Sequence, residues 1–275
     1  MNDRRTIEDL VHDLLKSPLI DHVSLFGSFI REHEDPLDIS LSELSDMSSH
    51  EVGGVDVDMI IVGNKYEHEF PMNIIKILRP HGLVIFHPDF YLKRPQGTTV
   101  FEIIALPSGS RWLAITTLGR LIGLSILHGG YIPVHHDLGD HVEMPEEPVD
   151  MRERLQIVLS SYAGLTDVYS KLWAITWTSF ASQKKPDIDI NRIIKWMLCD
   201  TVWAVTGSFF FDKEKLLRKA RTVLPAIVIE RCIPLLNDAL SNRAKTNHAT
   251  LEAACDLVKD LIFFVKSKMS CTSDI

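Results

Sequence analysis

The sequence has few cysteines and no long apolar run. Its 4 cysteines are scattered through the last third of the chain without paired spacing, which argues against a disulfide framework or a zinc knuckle. The longest apolar stretch, residues 113–127, is interrupted by Arg120 and is too short to span a bilayer. The charged, amphipathic start lacks the apolar core of a secretory signal. We therefore expect no membrane partner and a reducing, cytoplasmic setting.

The sequence is also short of positive charge. It contains 29 Lys and Arg against 37 Asp and Glu, which gives a formal net charge of -8. This balance argues against a nucleic-acid backbone as the partner, and it suits cationic substrates and divalent metals better. With 45% hydrophobic and 24% charged residues, the composition is that of a folded globular protein.

Glycine and proline become scarce after residue 150. Twelve of the 14 glycines and ten of the 13 prolines lie before that point, so the chain changes character there. We predict an α/β domain over residues 1–145, followed by an all-α bundle of about five helices over residues 150–275. The acidic segment Asp140–Met151, which contains two prolines, is the expected linker.

Apolar runs bounded by turn residues predict the strands, and apolar residues at helical spacing predict the helices. The predicted strands are Val23–Phe26, Val55–Val62, Leu83–Phe86 and Thr99–Leu106, with helices at Ile7–Leu15 and Trp112–Leu127. The predicted helices of the second part cover residues 151–180, 189–206, 212–221, 225–241 and 248–268.

The stretch GGVDVDMIIVG places two aspartates at the start of a predicted strand. Residues two apart in a strand project from the same face, so Asp56 and Asp58 should present their carboxylates together. Two close anions repel each other unless a cation lies between them, and Mg²⁺ suits a site built from a few carboxylate oxygens, water and phosphate. The alternative is that one aspartate caps the strand and the other faces solvent.

A second motif, VSLFGSFIRE, leads from an apolar strand through Gly27 and Ser28 into a helix-like segment. The free backbone N–H groups and the hydroxyl of such a corner can hold a phosphate, although an ordinary strand-to-helix turn has the same sequence features. Arg31 in this segment is a further nucleotide-binding candidate. A phosphate corner followed by two strand aspartates matches phosphoryl transfer, in which the protein positions a triphosphate and metals neutralise developing charge.

On these motifs the sequence resembles the polymerase-β-like nucleotidyltransferase superfamily, whose signature is an apolar residue, Gly-Ser, a spacer, and Asp-x-Asp among apolar residues. Phe26, Gly27 and Ser28 match the first part, and Val55–Met59 matches the second. The resemblance implies an α+β nucleotidyltransferase domain with a short mixed sheet. It also implies two Mg²⁺ ions on the aspartates and an NTP, with ATP the first candidate, as co-substrate.

Members of that superfamily carry a third carboxylate on a later strand, and the apolar run TTVFEIIAL supplies Glu102. A buried glutamate needs a cation or a hydrogen-bond partner, so by this resemblance Glu102 is the third metal ligand. The alternatives are that Asp89, in HPDFYLK, takes this role, or that Glu102 faces solvent.

The spacer between the two motifs is longer than is usual for the superfamily, because 27 residues separate Ser28 from Asp56. The insertion, residues 29–55, contains seven acidic residues and, after Arg31, no Lys or Arg. We interpret it either as a solvated loop, which is the default for a charged run, or as a flap that attracts a cationic acceptor.

On the predicted helix AGLTDVYSKLWAITW, Asp167 and Lys171 are four residues apart and share one face. An exposed ion pair is the simplest interpretation. The stretch also resembles the kanamycin nucleotidyltransferase group, which implies that Asp167 is the general base for the acceptor hydroxyl and that Lys171 binds phosphate. That group has a larger basic residue at the position of Ser28, so at this corner the chain follows the wider superfamily.

The resemblance implies an enzyme that transfers a nucleoside monophosphate from an NTP to a hydroxyl of a small, antibiotic-like molecule and releases pyrophosphate. It implies antibiotic resistance as the biological role, and it leaves a homodimer open. The alternatives are modification of a protein or a tRNA end, as toxin and antitoxin members do, and a non-catalytic nucleotide-binding module. A tRNA substrate would need a basic face, for which the candidates are Lys213, Lys215, Arg218, Lys219 and Arg221.

The segment PVHHDLGDH contains His135, His136 and His141. Adjacent histidines point in different directions, and this spacing matches no established ligand pattern. We therefore predict no metal site in this segment.

Overall fold

The computed structural model of the protein describes residues 5–50, 55–63, 69–86, 97–134, 136–161, 190–241 and 248–271. The chain divides into two compact units. The first consists of Met1–Phe90 and Arg94–Pro145, and the second of Tyr91–Lys93 and Glu146–Ile275. The division at Pro145 falls inside the acidic segment Asp140–Met151.

The first unit is built on a mixed five-stranded sheet with the strand order β3-β4-β2-β1-β5. Strand β2 lies between β1 and β4, and it pairs antiparallel with β1 and in parallel with β4. The end of β1 therefore lies beside the start of β2, which in turn lies beside the start of β4. The predicted α/β class with a short mixed sheet is confirmed. The strands are β1 (Ile20–Phe26), β2 (Asp56–Gly63), β3 (Leu83–Phe86), β4 (Val100–Pro107) and β5 (Tyr131–Pro133).

Helices of the first unit pack on both faces of this sheet. Leu10 and Leu14 of the first helix are fully buried against one face, whereas Leu113 and Ile126 pack against the other. The helices are α1 (Ile7–Leu15), α2 (Gly27–Glu32), α3 (Leu41–His50), α4 (Glu69–Leu78), α5 (Trp112–Ile115) and α6 (Thr117–Gly129).

The two faces of the sheet belong to different apolar cores. On β2, Met59 lies in the cluster that includes α1 and α4, whereas Ile60 lies in the cluster that includes α5, α6 and residues 138–142. Because side chains alternate along a strand, Asp56 and Asp58 lie on the same face as Ile60. That face of β2 therefore begins with carboxylates and continues with apolar side chains.

The structure corrects the predicted single helix over residues 112–127 and contradicts one of the two interpretations of the insertion, the plain solvated loop. Residues 112–127 do not form one helix, because Thr116 interrupts it. The Thr116 hydroxyl accepts a hydrogen bond from the Gly119 N–H at 3.0 Å and caps α6. The insertion at residues 29–55 is not a plain solvated loop, since it contains α3, and Leu44 of this helix is buried in the core with α1.

The second unit has five helical segments among its described residues. Helix α8 is surrounded by α9, α10 and α11, and its Ile194, Leu198 and Trp203 side chains are fully buried. The predicted helical character is confirmed, although residues 162–180 of the first predicted helix lie outside the described residues. No helix in the described part of the chain is long and apolar enough to cross a membrane. The segments are α7 (residues 151–161), α8 (Ile190–Thr206), α9 (Lys213–Val223), α10 (Ala226–Ser241) and α11 (His248–Cys271).

Candidate active site

Three of the predicted site residues lie on one face at one end of the sheet. Asp58 of β2 is in register with Glu102 of β4, and Asp56 is in register with Val100. In-register residues of neighbouring strands project to the same face, so Glu102 stands beside Asp58. Asp56 lies two residues before Asp58, on the same face, and is the first residue of β2.

These carboxylates are partly removed from water. Asp56 and Asp58 are half-buried, and Glu102 is 5% exposed. Its neighbours Phe101 and Ile103 are fully buried in the opposite core, which fixes the direction of the Glu102 side chain. Burying charge is costly unless a cation or hydrogen bonds compensate. This end of the sheet is therefore suited to receive a cation.

Gly27 lies directly against one of the carboxylates. Its φ is 87°, in the left-handed region that favours glycine. A methyl group built on Gly27 would also collide with Oδ2 and Cγ of Asp58. The position therefore requires glycine for two separate reasons, its backbone conformation and the close approach of Asp58.

The start of α2 offers donors beside the carboxylates. Gly27 and Ser28 form the first turn, and Ser28 is half-buried. The N-cap residue Phe26 forms no side-chain hydrogen bond with the N–H groups of this turn, which are among those that a helix start leaves without a partner inside the helix. A helix start favours negative charge. Arg31 is exposed in the last turn of the same helix.

A row of in-register residues crosses the sheet at this point. Tyr131 of β5 pairs with Phe26, Phe26 with Asp58, and Asp58 with Glu102. The Tyr131 hydroxyl donates a hydrogen bond to Asp137 at 2.8 Å. Burial, together with this hydrogen bond, raises the pKa of Tyr131 to about 12. Phe26 therefore stands next to Asp58 on the β1 side, and the protonated phenol of Tyr131 stands next to Phe26.

Two buried polar residues on the same face of β1 were not among the residues predicted from the sequence. His22 is 1% exposed and Ser24 is fully buried, and His22 Nε2 lies 2.6 Å from the Ser24 hydroxyl. His22 also stacks on His141, with ring centroids 4.7 Å apart, so part of PVHHDLGDH packs against the sheet. The signal in the sequence was the alternation of His22, Ser24 and Phe26 within a strand pattern.

The carboxylates at this end of the sheet suit a metal ion that also binds water and phosphate. Within the described residues, no three His, Cys, Asp or Glu side chains are grouped so that they could hold a metal ion by themselves. Mg²⁺ does not need such a group, because it usually binds one or two carboxylates and takes its other ligands from water and substrate phosphates. Asp56 and Asp58, with the Gly27–Ser28 corner next to Asp58, fit this requirement.

Four residues considered in the sequence analysis lie outside the described part of the chain. Asp167 and Lys171, which the sequence analysis assigned to the acceptor and the phosphates, lie outside the described residues. So do Asp89, the alternative third carboxylate, and His135. Their roles stay predictions.

Comparison with known proteins identifies the fold. No family model matches the sequence, and no curated protein matches it. The structure is similar to that of spectinomycin adenyltransferase AAD(9) from Enterococcus faecialis, solved with ATP and spectinomycin, with a TM-score of 0.53 and 12% sequence identity. The match covers 92% of this chain and 98% of that chain. The chain has the fold of that adenyltransferase.

Proposed function

We propose that the protein is a Mg²⁺-dependent nucleotidyltransferase that transfers a nucleoside monophosphate from an NTP to a hydroxyl of a small molecule and releases pyrophosphate. The observation that carries this proposal is the contact between Gly27 and Asp58, which sets a helix start beside strand carboxylates. Phosphoryl transfer needs those two elements together, one for the phosphates and one for the cations. ATP is the first candidate donor, since the structural neighbour was solved with ATP.

In this proposal the phosphates and the metals are held by adjacent elements. The N–H groups of Gly27 and Ser28 and the Ser28 hydroxyl bind the terminal phosphates. Asp56 and Asp58 would hold two Mg²⁺ ions together with water and phosphate oxygens, and Glu102, in register with Asp58, would complete the catalytic metal site. Bound Mg²⁺ supplies neutralisation of the charge on the phosphates and on the departing pyrophosphate.

The acceptor and the remaining phosphate contacts involve three further residues. We propose that Asp167 acts as the general base that takes the proton from the acceptor hydroxyl. Lys171 and Arg31 would contact the phosphates. Asp167→Asn should slow turnover by roughly 10²- to 10⁴-fold and leave NTP binding unchanged, whereas Lys171→Ala should weaken NTP binding. Wild-type kinetics in both variants would show that the two residues have no catalytic role and would favour the alternative of an exposed ion pair.

The reaction can be tested with a panel of substrates. The protein is incubated with Mg²⁺, each common NTP in turn, and hydroxylated acceptors that begin with spectinomycin and include aminoglycosides. Released pyrophosphate and the mass of the acceptor are measured, with Asp58→Asn as the inactive control. We expect one acceptor to gain a nucleoside monophosphate. If no acceptor gains mass and no NTP yields pyrophosphate, the proposal is wrong.

The proposal extends to the role in the cell. Transfer to an antibiotic would require a cytoplasmic enzyme, where NTPs are available, and would protect a susceptible bacterium that expresses it. We expect a higher inhibitory concentration of the antibiotic identified in the panel. The Asp58→Asn variant, expressed at the same level, should give no protection.

A further inference from the structure

Helix α3 has a fixed position in the first unit, although it lies inside the long insertion between the two motifs. Ser40 caps its start. The Ser40 hydroxyl accepts a hydrogen bond from the Glu43 N–H at 3.2 Å, and the Glu43 carboxylate accepts one from the Ser40 N–H at 2.9 Å, which satisfies two backbone donors that a helix start leaves free. Leu44 is 1% exposed in the core. The cap and this burial together fix the helix in place.

Ser48, in the last turn of α3, joins this helix to the start of β4. Its hydroxyl donates a hydrogen bond to the Leu44 carbonyl at 2.8 Å and lies 2.8 Å from the Thr99 hydroxyl. Because a hydroxyl carries one hydrogen, Thr99 is the donor in the second bond. Ser48 is 1% exposed and Thr99 is 5% exposed, so a hydroxyl that lost its partner here would lie unsatisfied in the interior.

Thr99 is attached to three elements at once. Its carbonyl accepts a hydrogen bond of 2.9 Å from the N–H of Leu83, where β3 begins. The N–H of Val100, the next residue, donates to the carbonyl of Val55 at 2.8 Å, directly before β2. The hydroxyl adds the bond to α3. The start of β4 is therefore held by β3, by the residue before β2, and by the inserted helix.

The hydrogen bond between Ser48 and Thr99 lies on the opposite face of the sheet from the carboxylates. Phe101 of β4 belongs to the same buried core as Leu44 of α3, and Thr99, two residues before Phe101, projects to that face. Glu102, three residues after Thr99, projects to the other face. The bond can therefore hold the start of β4 without touching a ligand of the metal.

We propose that Ser48 and Thr99 are positioning residues for the metal site, an inference that rests on the proposed function. Asp56, Asp58 and Glu102 lie on one face of two paired strands, and close carboxylates repel one another. The ends of an element open more easily than its interior. The hydrogen bond holds the start of β4 against this repulsion before a cation arrives, so that the carboxylates keep the spacing that the metal–nucleotide complex needs.

Metal–nucleotide affinity distinguishes positioning from simple stabilisation. Thr99→Val removes the hydroxyl donor and leaves the bond from Ser48 to Leu44 in place. We expect the dissociation constant of the full chain for Mn²⁺ with a non-hydrolysable ATP analogue, measured by electron paramagnetic resonance, to rise by about two- to tenfold. Thr99→Ser keeps a hydroxyl and should bind like the wild type. Ser48→Ala should weaken binding as Thr99→Val does, and combining the two should add little, because both break the same bond.

Ser125→Ala is the matched control. Ser125 is 9% exposed, and its hydroxyl donates to the Ile122 carbonyl of its own helix at 2.8 Å, as Ser48 does in α3. Within the described part of the chain, no hydrogen bond joins the Ser125 side chain to another element. Ser125→Ala should lower the thermal midpoint, as Thr99→Val does, and leave the metal–nucleotide affinity unchanged.

Hydrogen exchange of the metal-free protein tests the inference without a nucleotide. Thr99→Val should lower the protection of the Val100 N–H by about two- to tenfold, because the start of β4 then opens more often. Adding Glu102→Gln should raise this protection again, since one of the repelling charges is gone. Mass spectrometry of peptides that contain Val100 measures both effects.

The outcomes separate this inference from the proposed function. Equal metal–nucleotide affinity in the wild type and in Thr99→Val would overturn the inference alone, whereas a wild-type chain that binds no such complex would overturn the proposed function and the inference together. Protection of Val100 that Thr99→Val leaves unchanged, or that Glu102→Gln does not raise, would also contradict it. Circular dichroism checks folding, and Ser48→Ala replaces Thr99→Val if that variant unfolds.

Discussion

The two faces of the sheet in the first unit are made by the same strands but have different chemical character. On β2, Val57 and Met59 point into one core and are fully buried. Asp56 and Asp58 alternate with them on the other face and are half-buried. One face of β2 is apolar along its whole length. The other face carries carboxylates in place of buried apolar side chains at the end where α2 begins. Residues that hold the fold and residues that form the candidate site are therefore separated by a single position along the strand.

The largest effect is expected on the carboxylate face. Asp58→Asn or Asp56→Asn removes a charged metal ligand and should lower turnover by roughly 10²- to 10³-fold or more. The thermal midpoint should stay the same or rise slightly, because repulsion between neighbouring carboxylates is relieved. Steady-state kinetics and thermal unfolding are measured on the same preparations. Near-normal turnover in either variant would show that the substituted aspartate is not a metal ligand and would contradict the proposed metal site.

The apolar face should respond in the opposite way. Met59→Ala leaves a cavity in a fully buried position and should lower the free energy of unfolding by about 2 to 5 kcal/mol. Turnover per folded molecule should stay close to that of the wild type at low temperature. Urea unfolding and active-site-normalised kinetics check this. Loss of turnover as large as in Asp58→Asn would show that the two faces are not separable.

An intermediate effect is expected where the two motifs meet. Gly27→Ala places a methyl group against Asp58, so the carboxylate must move, and turnover should fall by roughly 10- to 100-fold. The positive φ separately costs about 1 to 2 kcal/mol of stability. Gly109→Ala is the matched control. Gly109 has a φ of 74°, but nothing lies within 4 Å of its added methyl group. The Gly109→Ala variant should lose a similar amount of stability and keep its turnover. Equal turnover in the two variants would show that the contact between Gly27 and Asp58 does not matter for catalysis.

The smallest effect is expected at the hydroxyl of the phosphate corner. Ser28→Ala removes one hydrogen bond, which contributes about 0.5 to 1.5 kcal/mol, while the backbone N–H groups stay in place. NTP affinity should fall by about tenfold at most, as measured by calorimetry. Unchanged affinity and unchanged turnover would place the phosphate corner elsewhere in the chain.

Regular spacing explains which elements could be predicted from the sequence. The strands β1 to β4 and the helices α8 to α11 have repeated apolar spacing, and their observed bounds lie close to the predicted ones. Strand β5 was not predicted because three residues show no period. Helix α4 was not predicted because it contains Pro71, which a helix tolerates in its first turn. Helix α3 was not predicted because it lies in a charged insertion with few apolar residues. Of this helix, Leu44 belongs to the buried core.

The candidate site was predictable where its residues are local in sequence. The Gly27–Ser28 corner and the pair Asp56 and Asp58 are visible as motifs, and the distance of two residues puts the aspartates on one face. The partnership of Asp58 with Glu102 is different, because α4 and β3 lie between their strands in the chain. Strand order and register decide it, and no local pattern encodes either of them.

The central claim is that the carboxylates of β2 and the start of α2 bind one metal–nucleotide complex. The most direct test is a crystal structure of the protein with Mg²⁺ and a non-hydrolysable ATP analogue. We predict Mg²⁺ bound by Asp56 and Asp58, with the terminal phosphates against the N–H groups of Gly27 and Ser28. A nucleotide bound elsewhere, or phosphates at this corner with no metal on either aspartate, would contradict the account.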